Sequence, residues 1–174
     1  MNKTIEDIIS RRSIKKYNSK PVSLEDLQTI VKAGEYAPSG RNKQSAIMLV
    51  VQNEELLEKL RRLNQTSVGQ PYTGDNFYGA KTVIVVLADK NVATHVYDGS
   101  LVMANLMLAA HSLGISSCWI HRAKETFETA EGKQILKDLH IEGDYEGIGN
   151  CILGYTDQIV SAKDRKEKYA RYIL

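Results

Sequence analysis

Cysteine and proline are scarce in this sequence of 174 residues, which contains 2 Cys and 3 Pro. Cys118 and Cys151 match neither a metal-binding spacing nor a redox Cys-x-x-Cys motif, and each lies in an apolar run. We therefore expect buried, reduced thiols in a reducing compartment, and no metal site. Because the first residues lack the apolar stretch that signal peptides carry, we expect a cytoplasmic protein.

The sequence also lacks a strong charge of either sign and a long hydrophobic run. It has 23 Lys and Arg against 21 Asp and Glu, which gives a net charge of +2. Surfaces that bind nucleic acids are usually strongly basic, so we expect no nucleic-acid partner. The longest apolar run, residues 101–110, contains Asn105 and is too short to cross a bilayer, so we expect no membrane insertion.

Several familiar catalytic motifs are missing. No Gly-x-Gly-x-x-Gly follows a predicted strand, and the sequence has no P-loop and no Gly-x-Ser-x-Gly elbow. The four histidines have no metal-ligand spacing. The sequence therefore gives no indication of a dinucleotide-binding Rossmann domain, a P-loop protein, a zinc enzyme or a serine hydrolase.

The pattern of apolar residues predicts alternating helices and strands. Capping residues predict helices that start at Thr4, at Ser23 and after Asn53. Two further helices are predicted over residues 96–113 and 130–139, with strands over 46–51, 82–88, 116–120 and 148–153. Residues 64–79 are predicted to form a long loop. The first of the two later helices is apolar nearly all round and should be covered on all sides, which predicts one helix–sheet sandwich domain over residues 1–174.

Residues 11–17, Arg-Arg-Ser-Ile-Lys-Lys-Tyr, place four cations and a hydroxyl within six positions. Arginine, lysine and serine donors together suit a phosphate dianion. The alternative is an ordinary solvated basic face. Two other segments, residues 38–44 and 163–166, add further polar and basic groups.

Together with Leu-Gly-Ile-Ser-Ser-Cys-Trp-Ile at 113–120 and Gly-Tyr at 154–155, these segments resemble the FMN-dependent nitroreductase family in both motif and order. The resemblance implies an α+β fold with a mostly antiparallel sheet around a buried central helix. It also implies an intertwined homodimer with FMN at the interface, which NADH or NADPH would reduce. A small acceptor such as a nitroaromatic or a quinone would then be reduced, with no side chain acting as a catalytic acid, base or nucleophile.

The resemblance assigns roles to several residues of these motifs and to Asn76 in the predicted long loop. For the phosphate and ribityl chain it implies Arg11, Arg12, Ser13, Lys163 and Arg165. Lys15 would lie near the N1 and O2 edge of the flavin, where a fixed positive charge stabilises the reduced ring. The partner's loop would contribute Pro38, Ser39, Gly40 and Asn42, with Gln44 as its support. Ile120 and His121 would lie along the ring, and Asn76 would bond its N3 and O4 edge.

Several alternatives stay open. Ser39 and Gly40 suit a simple turn, His121 suits a polar strand end, and Lys163 and Arg165 suit an exposed tail. The chain departs from many family members in having Ser45 and Ala46 after Gln44, and in being compact. Other flavin chemistry on this scaffold, such as dehalogenation or ring dehydrogenation, or a flavin storage role, therefore competes with the reductase. The last twenty residues have no core of their own and are expected to pack on a second subunit.

Overall fold

Four strands form one antiparallel sheet in the computed structural model, which describes residues 1–67, 69, 71 and 73–174. The strands are β1 (Ala46–Val51), β2 (Thr82–Asp89), β3 (Ser116–Ile120) and β4 (Tyr145–Gly154), in the order β1-β2-β4-β3. The helices are α1 (Lys3–Ser10), α2 (Leu24–Glu35), α3 (Glu54–Thr66), α4 (His95–Ser112), α5 (Ala123–Glu128) and α6 (Ala130–Asp138).

Strand β2 lies inside the sheet and separates two hydrophobic clusters. Successive side chains of a strand point to opposite faces. Ile84 and Val86 accordingly pack with α2 and α4, whereas Val83 and Val85 pack with α3 and α6 on the other side. The helix–sheet sandwich and its antiparallel sheet are thus confirmed.

Strand β1 has its predicted bounds, but it is only partly buried, whereas its continuous apolar run predicts a buried strand. It pairs with β2 along one edge only, so most of its residues are partly exposed and Val50 is exposed. An edge strand has one edge without a neighbouring strand, and its apolar composition does not reveal this position.

The central helix α4 is covered on one side only. Val102, Met103 and Leu106 pack into the core, but Tyr97 is 71% and Leu101 is 43% exposed. The prediction that this helix is covered on all sides is therefore wrong for the single chain. The exposed side of α4 is apolar and remains available for contact.

Helix α1 begins one residue earlier than Thr4. The side chain of Asn2, rather than that of Thr4, accepts a hydrogen bond from the backbone N–H of Ile5 at 3.0 Å. The apolar residues of this helix, Ile8 and Ile9 among them, are exposed, and Asp7 is the buried one. Helix α1 thus adds a second apolar surface to that of α4.

No helix in the part of the chain that the structure describes is both long enough and apolar enough to cross a membrane.

Candidate functional site

The segment that follows α1 lies against the edge of β3. Ser13 forms a parallel bridge with Ser117, and the backbone N–H of Ile14 donates to the carbonyl of Ser117 at 3.0 Å. Ile14 is buried, which fixes this segment to the sheet. The basic residues on either side of Ile14 are consequently held along β3 instead of being free on a loop.

One side of this segment borders a cavity of about 250 Å³, here called the arginine cavity. It lies between Arg11, Arg12, His111, Ser117 and the tail residues Gln158, Ile159 and Val160. Three buried donors of these lining residues, Nη1 of Arg11, Nε of Arg12 and the hydroxyl of Ser117, have no hydrogen-bond partner among the described residues. Nη1 of Arg12 donates to the carbonyls of Ile9 and Arg11. No described residue that lines the cavity is acidic. Buried donors without acceptors fit a bound anion such as a phosphate.

His111 also belongs to the arginine cavity and was not predicted from the sequence. Its Nε2 lies 2.8 Å from the hydroxyl of Ser10. Burial lowers the pKa of His111, the nearby carboxylate of Asp7 opposes this, and the positive charges of Arg11, Lys3 and Arg12 lower it further. Burial and the neighbouring cations therefore disfavour a positive charge on His111.

The two cysteines are buried and unpaired, as predicted. Burial raises the pKa of the Cys118 thiol, while a hydrogen bond with Ser13 and the charges of Lys15 and Arg11 lower it. Burial also raises the pKa of Cys151, to about 12. Both thiols are thus protonated near neutral pH and unsuited to nucleophilic chemistry.

The other end of the segment borders a second cavity of about 360 Å³, here called the ring cavity. It brings together four of the predicted residues, which are Lys15, Asn76, Ile120 and His121. Trp119 borders it as well, but its indole packs over Gly149 in the core. The ring cavity is mainly polar and extends along the end of β3.

Asn64 is a buried residue of the ring cavity that the sequence analysis missed. Its Nδ2 donates to the carbonyl of His121 at 2.7 Å, and its Oδ1 accepts from Nδ2 of Asn76. Oδ1 of Asn76 is left buried without a described partner. Asn64 thus positions the carbonyl of His121 and the side chain of Asn76 at the cavity, and Oδ1 of Asn76 can still accept a hydrogen bond.

A helical signal pointed to Asn64. Leu57, Leu60 and Asn64 recur at helical spacing on the buried face of α3. The predicted helix ended at residue 63, which placed Asn64 in a loop. The observed helix continues to Thr66, so Asn64 occupies an inward position that an apolar residue would normally fill.

The segment 38–44 lies elsewhere in the single chain. Pro38, Ser39 and Gln44 line a third cavity of about 140 Å³. The hydroxyl of Ser39 accepts from the backbone N–H of Gln44 at 3.0 Å, and the side chain of Gln44 donates to Asn42 at 3.1 Å. None of these residues lines the arginine cavity or the ring cavity. One chain therefore does not unite this segment with the other predicted site residues.

Asp98 of α4 anchors this segment, and the sequence analysis did not identify it. Its buried carboxylate accepts from the backbone of Gly40 at 2.9 Å, from Ser45 at 2.7 Å and from Thr94 at 3.1 Å. Burial alone would raise the pKa of Asp98, but these hydrogen bonds and the charge of His95 outweigh it and lower the pKa. A side chain at Gly40 would collide with the side chain of Thr94, which would have to move and lose its place beside Asp98.

Lys163 and Arg165 lie in the exposed tail that follows β4, and they line neither cavity. The single chain therefore does not bring them to Arg11 and Ser13. Among the described residues, no group of three or more His, Cys, Asp or Glu side chains is arranged to hold a metal ion.

Comparison with known proteins adds independent findings. The sequence profile of the Nitroreductase family matches residues 8–155. A protein of Archaeoglobus fulgidus, provisionally named NADH dehydrogenase/NAD(P)H nitroreductase, is 34% identical over 126 residues, which are 69% of this chain and 68% of that relative. A protein of Methanothermobacter thermautotrophicus with the same provisional name is 34% identical over 66% of this chain, and the match spans only 59% of that relative.

The fold has a counterpart among solved structures. The crystal structure of a nitroreductase with bound FMN from Bacteroides fragilis superposes with a TM-score of 0.91 at 28% identity, over 99% of this chain and 100% of that one.

Proposed function

Because this chain belongs to the Nitroreductase family, we propose that it binds FMN and uses NADH or NADPH to reduce small electron-poor acceptors. One observation carries the proposal. Residues 11–15 run along β3, with a cavity at one end whose lining residues Arg11, Arg12 and Ser117 each keep a buried, unpartnered donor, and a larger polar cavity at the other end. FMN has the same division, with a phosphate at one end and a planar polar ring at the other.

The phosphate would occupy the arginine cavity. Arg11 and Arg12 line this cavity and would bind the phosphate. Ser13, which follows them in the same segment but does not line the cavity, would contribute from beside it, and the tail would bring Lys163 and Arg165. The tail already reaches this cavity through Gln158, Ile159 and Val160, which supports the assignment. Charge-assisted hydrogen bonds to phosphate are the strongest that such residues form.

The flavin ring would occupy the ring cavity. Lys15 would supply a positive charge at the N1 and O2 edge. Asn76, held by Asn64, would meet the N3 and O4 edge, and Ile120 and His121 would lie along the ring through their backbone. These residues would hold FMN, which would supply the redox chemistry: hydride uptake from the nicotinamide and two-electron reduction of the acceptor.

For a nitro compound the balanced reaction converts ArNO2, NAD(P)H and a proton to ArNO, NAD(P)+ and water. The chain's own residues would bind and orient the reactants, and Lys15 would stabilise negative charge on the reduced ring. We assign no side chain the role of acid, base or nucleophile, because none is needed for hydride transfer.

A homodimer would complete the site. The loop Pro38, Ser39, Gly40 and Asn42, supported by Gln44, would reach the FMN of the partner chain. The exposed apolar sides of α1 and α4 and the tail support this assembly, because such surfaces are usually covered. We further propose that residues 1–174 form one domain that acts in the cytoplasm.

The visible absorption spectrum of the purified protein, followed by anaerobic addition of NADH and of NADPH, tests this function. We expect flavin bands that bleach with at least one nicotinamide and return on addition of a quinone or nitroaromatic. Bands that persist with both donors would favour a storage protein. If no flavin is bound even after FMN is added, the assignment of both cavities is wrong.

A further inference from the structure

Arg122 occupies an unusual position at the edge of the ring cavity. It follows β3 and His121 and adopts a left-handed backbone conformation, with φ of 73° and ψ of 18°. Glycine adopts this conformation freely, whereas residues with a side chain adopt it rarely. The chain therefore places a long cationic side chain at a turn where a smaller residue would fit more easily.

The guanidinium group of Arg122 forms no hydrogen bond or ion pair within the described part of the chain. Three cations close to it in sequence or on helix α3 have acidic partners instead. Lys124 binds Glu146 at 2.8 Å, Arg62 pairs with Glu131, and Arg61 lies 3.2 Å from Asp75. Arg122 thus differs from these three cations in having no acidic partner among the described residues.

The ring cavity has basic groups and no acidic ones among its described lining residues. Lys15, His121 and Arg122 contribute to it, and a cavity with charge of one sign raises the local concentration of oppositely charged ligands. Under the proposed function, Lys15 and Asn76 face the flavin. This leaves Arg122, with the His121 side chain beside it, to meet the second ligand.

We propose that Arg122 is a specificity-determining residue that selects aromatic acceptors bearing a carboxylate. Its planar guanidinium matches a carboxylate through two parallel hydrogen bonds, which a neutral acceptor cannot form. This inference rests on the proposed flavin function and adds the charge of the preferred substrate.

Binding of unreactive probes to the oxidised, FMN-loaded protein tests the inference directly. We would titrate benzoate and its neutral analogue benzamide and follow the flavin absorption spectrum. Arg122→Gln should weaken benzoate binding by about tenfold or more and benzamide binding by less than about twofold, since a charge-assisted bidentate pair is lost. Arg122→Lys should retain part of the preference. Equal effects on both probes, or no effect on either, would overturn the proposal.

Two further variants serve as controls. Lys137→Gln, on the exposed surface of α6, removes the same charge outside the cavity and should leave both affinities unchanged. Arg122→Gly suits the left-handed backbone and should behave like Arg122→Gln, which keeps the test valid if the glutamine variant folds poorly.

The ratio of kcat/KM for 4-nitrobenzoate to that for 4-nitrobenzamide, at saturating donor, tests the role of Arg122 separately from the proposed reductase function. We expect the ratio to fall by about tenfold in Arg122→Gln. Turnover of both compounds with an unchanged ratio would overturn the role of Arg122 and leave the reductase intact. An unchanged ratio with a raised KM for the nicotinamide would also overturn it, by assigning Arg122 to the donor. Absence of turnover together with absence of bleaching would overturn the reductase itself.

Discussion

Unpartnered buried atoms belong to residues that line the arginine cavity and the ring cavity, where the proposed FMN would bind. Arg11 keeps a buried nitrogen without an acceptor, and Asn76 keeps a buried oxygen without a donor. Such groups are costly to bury unless a ligand completes their hydrogen bonds. A donor in one cavity and an acceptor in the other would meet different ends of the same ligand.

Arg11→Gln should therefore weaken FMN binding while leaving riboflavin binding nearly unchanged, because riboflavin lacks the phosphate. A charge-assisted hydrogen bond contributes about 1.5–3 kcal/mol, so we expect FMN affinity to fall by about 10- to 100-fold. Quenching of flavin fluorescence measures both dissociation constants. Equal losses for FMN and riboflavin would remove Arg11 from the phosphate site.

Asn64→Leu, unlike Arg11→Gln, should weaken the binding of FMN and of riboflavin alike. It removes the hydrogen bonds to the carbonyl of His121 and to Asn76 with little change in volume. Because these groups belong to the ring cavity, FMN and riboflavin should both bind about 3- to 10-fold more weakly, as expected for the loss of a neutral hydrogen bond. An effect on FMN alone would contradict the assignment of the ring to this cavity.

Asp98 links the stability of the fold to pH. Its folded-state pKa is lowered from the ordinary value of 3.8. The ionised carboxylate therefore stabilises the folded state above that value, and this stabilisation is lost as the pH falls through the folded-state pKa.

Asp98→Asn should reduce the free energy of unfolding at pH 7 by about 1–3 kcal/mol, because an amide cannot accept from Gly40, Ser45 and Thr94 together. Urea unfolding at several pH values measures this difference between the two proteins. We expect the difference in unfolding free energy between wild type and Asp98→Asn to shrink only below pH 3.8. A difference that shrinks near neutral pH would point to another titrating group.

The helices and strands were predictable wherever apolar spacing and caps agreed. Ser23 caps α2 and Asn53 caps α3 as predicted, and β3 has its predicted bounds. Helix α5 was missed because its six residues are too few to show helical spacing, although Thr126 and Phe127 are buried. Strand β4 begins at Tyr145, three residues before the predicted start at residue 148. The prediction began too late because Gly147, which lies close against the backbone of Ala123, interrupts the apolar pattern of the strand.

The candidate site was predictable only in part. The basic segment 11–15 and the end of β3 carried recognisable motifs, and the structure brings Lys15, Ile120 and His121 to one cavity. Asn64 and Asp98 escaped notice because their roles depend on burial and on contacts across 57 and 53 positions of sequence. Spacing along the chain does not encode such contacts.

The tail after β4 carries Lys163 and Arg165, two cations of the proposed phosphate site. Lys163→Gln combined with Arg165→Gln should weaken FMN binding by about tenfold or more and spare riboflavin, because both cations are proposed to meet the phosphate. Lys137→Gln again provides a control for net charge. Unchanged FMN affinity in the double variant would leave the tail as an ordinary exposed segment.

For the whole molecule, the exposed apolar surfaces on α1 and α4 require an explanation. Ile8, Ile9, Tyr97 and Leu101 are all exposed in the single chain. Leu101→Glu should leave the core intact and shift the molecular mass measured by light scattering from dimer towards monomer, since an unpaired charge at an apolar interface is costly. FMN affinity should fall with it. A monomeric wild-type protein would remove the partner roles of Ser39 and Asn42.

The separation of the segment 38–44 from both cavities within one chain has a further consequence. If two chains share each flavin as proposed, cofactor binding and subunit association must reinforce each other to the same degree. Dilution would then release FMN even at constant FMN concentration, and excess FMN would hold dilute subunits together and raise the temperature at which they unfold. The enzyme's activity per molecule would depend on how much of the protein a cell contains.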